Sequence, residues 1–202
     1  MANRFLHLAR HGEAIDEGRL TEAGQQQARL LGRRLANVPL TAIHHSPLPR
    51  AVHTAELIGE SLPDVPLCAE DVLGDYIPPV PDPDALPEVY TRFLDGVTPT
   101  EYTDGARLAA AAIERYALPA VSEPAGSDTH ELIVTHNFLI GWFIRHALDA
   151  PDHRWLGLNQ SNCALTTILY RPDRPPALVR FNDMSHLPAE LRWTGFPSDL
   201  NI

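Results

Sequence analysis

Phe5-Leu6-His7-Leu8-Ala9-Arg10-His11-Gly12-Glu13 is the stretch on which the fold turns. Phe5 to Ala9 is a short, largely apolar run, the composition of a strand buried inside a sheet. It stops at Arg10-His11-Gly12, which leaves two polar side chains and a glycine at the strand's C-terminal end. In sheets built from alternating strands and helices, ligands bind outside those ends.

The residues that follow supply the alternation. Thr21 is an N-cap for a helix in which Ala28, Leu31 and Leu35 recur at helical spacing, and Asn37-Val38-Pro39 ends it. Leu40 to His45 is a second strand. Ser46-Pro47-Leu48-Pro49 punctuates it, and Arg50 opens a helix to about Glu60, with Ala51, Thr54, Ala55 and Ile58 on its buried face. Val65 to Cys68 is a third strand. Asp75 to Pro87, rich in Pro and Asp, is a long loop, a kind of segment that is usually functional or mobile. Asp104 to Leu118 is an Ala-rich helix, Glu123 to Asp128 a turn, and Glu131 to Thr135 a strand that ends at His136. Asn137 to Leu148 is a helix apolar on most sides. Leu165 to Tyr170 and Leu178 to Phe181 are strands of a hairpin turning at Pro172-Asp173-Arg174, and the tail after His186 is irregular. The pattern predicts a three-layer α/β/α sandwich whose central sheet is mostly parallel, with an antiparallel C-terminal hairpin. One domain over residues 1–202 is expected, with a loop or cap segment at about 75–103.

Composition narrows the classes. A net charge of −10 argues against nucleic-acid binding, and all 16 basic residues are Arg. Because the global field repels anions, a phosphate site has to be built from local positive charge. Two cysteines, Cys68 and Cys163, are too few for a disulfide framework. No stretch has the apolar length of a membrane span, and the N-terminal residues lack a signal-peptide pattern. A soluble, cytoplasmic protein is therefore expected.

Arg10-His11, Arg50 and His136 all follow predicted strands, so they are predicted to share one edge. That set suits phosphoryl transfer. Arginines hold phosphate oxygens through charge-assisted, often bidentate, hydrogen bonds. A neutral histidine can attack phosphorus through one ring nitrogen while the other keeps its proton on a carbonyl. A second histidine can donate to a phosphoryl oxygen, and a carboxyl group serves the leaving oxygen as acid and then base. The scheme requires no metal and no cofactor.

Four blocks then resemble the histidine phosphatase superfamily. They are Leu8-Ala9-Arg10-His11-Gly12-Glu13; Leu20-Thr21-Glu22-Ala23-Gly24-Gln25-Gln26-Gln27-Ala28; Ser46-Pro47-Leu48-Pro49-Arg50-Ala51; and Val134-Thr135-His136-Asn137. Tyr102 to Arg107 and the run from Ala147 through Trp155 to Pro172 are similar to the phosphoglycerate-mutase-like serine/threonine phosphatases of mitochondria. Neither a counterpart to the membrane anchor of those proteins nor a membrane partner is expected. The resemblance implies a phosphoglycerate-mutase-like fold and a phosphomonoester hydrolase with His11 as nucleophile. It implies that Arg10, Arg50 and His136 surround the phosphoryl oxygens and that Asp75 is the general acid, with Glu13, Glu70 and Asp71 as fallbacks. Asp75 is one methylene shorter than the glutamate expected there. Asn137 replaces a small residue and is a further phosphate-binding candidate; Asn162 and its neighbours are expected to line the same pocket. The substrate is a phosphorylated small molecule or a phosphoprotein. Relatives include dimers, so a homodimer is open, although no feature of the sequence demands one.

Three other chemistries use parts of the same set. A phosphoglycerate mutase shares the four-residue core but needs a basic cluster for the glycerate carboxylate, and none is visible. A phosphohistidine phosphatase can also open with Arg10-His11-Gly12-Glu13-Ala14 and commonly lacks the carboxyl acid. A protein that binds metal through His44, His45 and His53, or only binds a phosphorylated ligand, is the reading from another class. No zinc-type spacing supports the metal, and a binding module has no need of the nucleophile His11.

Overall fold

The computed structural model describes residues 2–15, 18–80, 86–119 and 127–200. In chain order the elements are β1 (Arg4–Arg10), β2 (Ala14–Ile15), β3 (Arg19–Leu20), α1 (Glu22–Leu35), β4 (Leu40–His45), α2 (Pro49–Gly59) and β5 (Leu67–Ala69). They continue with α3 (Glu88–Leu94), α4 (Pro99–Tyr116), β6 (Thr129–Thr135), α5 (Asn137–Ala147), β7 (Leu165–Arg171) and β8 (Arg174–Asp183). The central sheet has the order β5-β4-β6-β1-β7-β8, while β2 and β3 form a separate ribbon. The β5-β4-β6-β1 part is parallel, and β7 and β8 are antiparallel to their neighbours.

Alternation along the strands builds the layers. Leu6 and Leu8 of β1 and Ile133 of β6 join one core with α4 and α5, which includes Trp142, Phe143 and Trp155. Ala9, Leu132 and Val134 point the other way and join Leu31, Leu35, Ala51, Ala55 and Ile58 of α1 and α2. Helices therefore cover both faces of the sheet, as the sequence pattern implies.

Differences from the sequence reading have local causes. The helix expected from Asp104 starts at Pro99, because Thr98 and Glu101 form a capping box and Pro99 takes the first helical position. Helix α3 was not expected at all. The third strand covers Leu67–Ala69, where it pairs with Ile43 to His45. Strand β8 is longer than its apolar run because Pro175 and Pro176 are tolerated on an edge strand. Most of the Glu123 to Asp128 turn and Pro81 to Ala85 of the long loop lie outside the described residues. No helix among the described residues is long and apolar enough to cross a membrane.

Topology also decides what reaches the C-terminal edge of β1, β4 and β6. Strand β7 runs antiparallel to β1 and pairs Leu165 with Ala9, so the segment before β7 lies at this edge. Strand β8 pairs Asp183 with Leu165, so it ends at the same edge and delivers the C-terminal tail there.

Candidate active site

Arg10, His11, Asp75, His136, Asn137, Phe138, Asn159, Gly195, Phe196 and Pro197 line a cleft of about 510 Å³ at that edge. Arg50 lies beneath it, 7% exposed, with its Nε donating to His11 Nε2 at 3.2 Å and its Nη2 to Asp75 Oδ2 at 2.7 Å. The predicted set of Arg10, His11, Arg50 and His136 is thus brought together, and Asp75 joins it in spite of its shorter side chain.

His11 is fixed by backbone on both sides. Its N–H donates to Thr135 O at 3.0 Å, and Asn162 Nδ2 donates to its carbonyl at 2.8 Å. Its Nδ1 lies 2.8 Å from Gly12 O, an atom that can only accept, so Nδ1 carries the proton. Nε2 is then a bare lone pair, consistent with the bond it accepts from Arg50. Burial pulls the His11 ring down from 6.5 to about 3, opposed by the Gly12 carbonyl and assisted by His136, Arg10 and Arg50. Burial also lowers His136 to about 3, with Arg50 and then Arg10 adding to the effect. Both rings are neutral near pH 7. Their centroids are 5.2 Å apart.

The Arg10 guanidinium is anchored through Nη1, which donates to Gln160 O at 2.9 Å and Gly195 O at 2.5 Å. Its buried Nε has no hydrogen-bond partner among the described residues. Arg50 sits in the first turn of α2, where a cation opposes the helix dipole. Asp75 offsets that charge, and Arg50 O accepts from Thr54 Oγ1, which in turn accepts from Gly12 N–H at 3.0 Å. His136 follows β6; its Nε2 lies 2.9 Å from Ser46 Oγ and its Nδ1 3.5 Å from Asp75 Oδ2.

The other candidates separate cleanly. Asn137 Oδ1 accepts from Gln160 N–H at 2.7 Å, while its Nδ2 has only a 3.4 Å contact to Asn159 Oδ1. Glu13 is bonded to the Thr21 hydroxyl at 2.8 Å, and Glu70 pairs with Arg115 at 2.5 Å. Neither they nor Asp71 line the cleft, whose one carboxylate among the described residues is Asp75. His44 lies 3.5 Å from Glu131, and His45 Nδ1 donates to Ser46 O at 2.9 Å. Among the described residues, no group of three or more His, Cys, Asp or Glu side chains is placed to hold a metal.

The sequence reading missed the tail. Thr194 O accepts from Asn162 N–H, Gly195 O holds Arg10, and Phe196 and Pro197 wall the cleft. A Cβ on Gly195 would lie 2.4 Å from Asn162 Oδ1 and 2.8 Å from Arg10 Nη1, and its φ is +68°. The signal was the cluster Trp193-Thr194-Gly195-Phe196-Pro197, too aromatic for a solvated tail.

The sequence profile of the histidine phosphatase superfamily (branch 1) matches residues 6–184. The chain is 36% identical over 196 residues to the Caenorhabditis briggsae serine/threonine-protein phosphatase Pgam5, mitochondrial, covering 92% of this chain and 65% of that protein. It is 30% identical over 200 residues to the human serine/threonine-protein phosphatase PGAM5, mitochondrial, covering 94% of this chain and 65% of that protein. The chain therefore spans slightly less than two thirds of the length of these relatives. Its fold is similar to that of a phosphoglycerate mutase from Plasmodium falciparum, at TM-score 0.63 and 24% identity over 94% of this chain and 96% of that one. It is also similar to the alpha-ribazole phosphatase of Shigella flexneri, at TM-score 0.67 and 21% identity over 89% and 96%. The expectation of a cytoplasmic protein is corrected by these relatives, whose names place them in mitochondria; composition and the lack of a signal pattern could not distinguish the two compartments. With the profile spanning nearly the whole chain and the motif residues meeting in one cleft, the chain belongs to the histidine phosphatase superfamily.

Proposed function

We propose that the protein is a phosphatase that hydrolyses phosphomonoesters through a phosphohistidine on His11. The observation that carries this reading is the His11 ring. It is neutral, its proton is held by Gly12 O, and its unprotonated Nε2 accepts from Arg50 Nε at the edge of the cleft that His11 lines. In the first step Nε2 attacks phosphorus and the ester P–O bond breaks. Arg50, the remaining donors of Arg10, and His136 stabilise the charge on the three equatorial oxygens. Asp75 gives its proton to the leaving alkoxide. In the second step Asp75 takes a proton from water, the water oxygen bonds to phosphorus, and the N–P bond breaks to release phosphate and regenerate neutral His11. Asn137 can add a donor through Nδ2. No step calls for a metal or a cofactor.

The substrate class we favour is a phosphorylated serine or threonine of a protein, the activity in the names of the PGAM5 relatives. The cleft shares Asn137, Phe138, Asn159 and Pro197 with a neighbouring hollow of about 350 Å³ that Val89, Tyr90, Phe93 and Trp155 also line. Residues of about 75–103 act in this reading as the cap of a single phosphatase domain, and the hollow suits side chains flanking a phosphorylated residue. The test is a rapid quench in alkaline detergent, which preserves the acid-labile N–P bond, during turnover of a phosphopeptide labelled on phosphorus. Label should remain on the wild-type protein, on His11, and His11→Ala should show neither label nor turnover. Turnover without a labelled protein would refute the covalent route.

A further inference from the structure

His136 can donate to a phosphoryl oxygen only if the nitrogen facing the cleft carries its proton. That nitrogen is Nδ1, which lies 3.5 Å from Asp75 Oδ2 and has no hydrogen-bond partner among the described residues. A neutral imidazole has a single N–H, so the other nitrogen decides the matter. With the proton on Nε2, the ring would donate to Ser46 Oγ, and the bare Nδ1 lone pair would face the Asp75 carboxylate and any bound phosphate. With the proton on Nδ1, Nε2 needs a donor, and the group 2.9 Å away is the Ser46 hydroxyl.

Ser46 is arranged to be that donor. Its Oγ accepts from Leu48 N–H at 3.2 Å, which occupies a lone pair and leaves the hydroxyl proton for the ring. Its own N–H donates to Val134 O at 3.0 Å, tying it to the strand that ends in His136. The residue is fully buried, which shields the pair from bulk water. We propose that Ser46 is a positioning residue: its hydroxyl donates to His136 Nε2 and so fixes the Nδ1–H tautomer that faces the phosphoryl group. This rests on the reading of His136 as a phosphoryl-oxygen donor, but the tautomer itself can be measured without turnover.

The experiment is a long-range ¹H–¹⁵N correlation spectrum of the full chain labelled with ¹⁵N-histidine, near pH 7, with the His136 signals identified by their loss in His136→Asn. Nδ1 is expected to show the shift of a protonated nitrogen and Nε2 that of an acceptor. The reverse pattern overturns the proposal whether or not any substrate is turned over. In the second arm, Ser46→Ala should reduce kcat roughly 10- to 100-fold, the scale of weakening one preorganised donor, with a much smaller change in KM. It should also redistribute the His136 proton between the two nitrogens. Ser46→Thr, which keeps the hydroxyl, should retain the wild-type tautomer. A folded Ser46→Ala variant with unchanged kcat and unchanged tautomer overturns the assignment. Should that variant not fold, the wild-type spectrum decides alone. A wild type with Nδ1–H but no phosphatase activity would refute the proposed function and leave the Ser46–His136 assignment standing.

Discussion

Arg50 faces two partners with one planar group, His11 through Nε and Asp75 through Nη2. A lysine can place a positive charge there but not two donors in a rigid fork. Arg50→Lys should therefore lose most of what Arg50→Ala loses, about 3 kcal/mol of transition-state stabilisation, read as a fall of at least about 100-fold in kcat/KM. A loss smaller than about threefold would mean that charge alone suffices. The His11 ring allows a second check. Because its value is lowered to about 3, it should stay neutral from pH 7 down to about pH 5, where the fold is still intact, and its Cε1 signal should remain flat over that range. A midpoint near the ordinary 6.5 would contradict the buried, cation-flanked ring. The side chains that touch the phosphate site in this reading were legible from the sequence, because each sits in a block with its own pattern after a strand. Their supports were not. Ser46, Thr54 and Gln160 act through a single hydroxyl or a backbone carbonyl, and nothing in residue type marks a carbonyl as a ligand for Arg10.

The first turn of α1 explains a motif that composition cannot. Thr21 Oγ1 caps the helix by accepting from Gly24 N–H at 3.0 Å. A Cβ on Gly24 would lie 2.1 Å from Glu13 O, so a glycine is needed for the loop after His11 to lie flat on the helix. One turn later, Gln27 Oε1 accepts from Glu13 N–H at 2.9 Å, and its Nε2 donates to Leu191 O and Thr194 Oγ1. The helix thus clamps the nucleophile loop and the C-terminal tail together. Gly24→Ala should push the loop off the helix. We expect a loss of roughly 1–3 kcal/mol in urea unfolding, the usual cost of overpacking, together with a fall in kcat as Gly12 O and His11 Nδ1 separate. Loss of stability with full kcat would show that the loop holds its shape without α1. At this scale the strongly periodic elements, β1, α1, β4, α2, β6 and α5, could be read from the sequence, because each has a core face. Helix α3 could not, since Val89 and Phe93 on its surface are exposed and leave no clean apolar stripe. The path of the tail was likewise hidden, because it follows from the antiparallel return of β8 and not from any pattern within residues 184–200.

Across the whole molecule, the chemistry of the cleft and the acid stability of the fold are coupled through the same rings. Burial lowers His7 to about 4, with His130 and Arg180 adding to the effect, and lowers His11 and His136 to about 3. In the unfolded chain each returns to about 6.5. Between those limits the unfolded state binds more protons than the folded one, so stability rises with pH and is lost as pH falls below about 6.5. Well inside the window each histidine contributes a slope of about 1.4 kcal/mol per pH unit, and the three together about 4. A typical domain stability of about 10 kcal/mol would be removed within about three units. Urea unfolding at a series of pH values should therefore show stability falling steeply from about pH 6 and cooperative acid unfolding near pH 4. Stability that stays level down to pH 4 would mean that these rings are protonated in the native state, and His11 could not then serve as a nucleophile at that pH. His136→Asn carries no titrating ring, so it should flatten the slope by about a third even if it is less stable at pH 7. His11→Asn should do the same while abolishing turnover. Holding two histidines neutral beside two guanidinium groups preserves the lone pair that attacks phosphorus, and the same burial makes the native state vulnerable to acid.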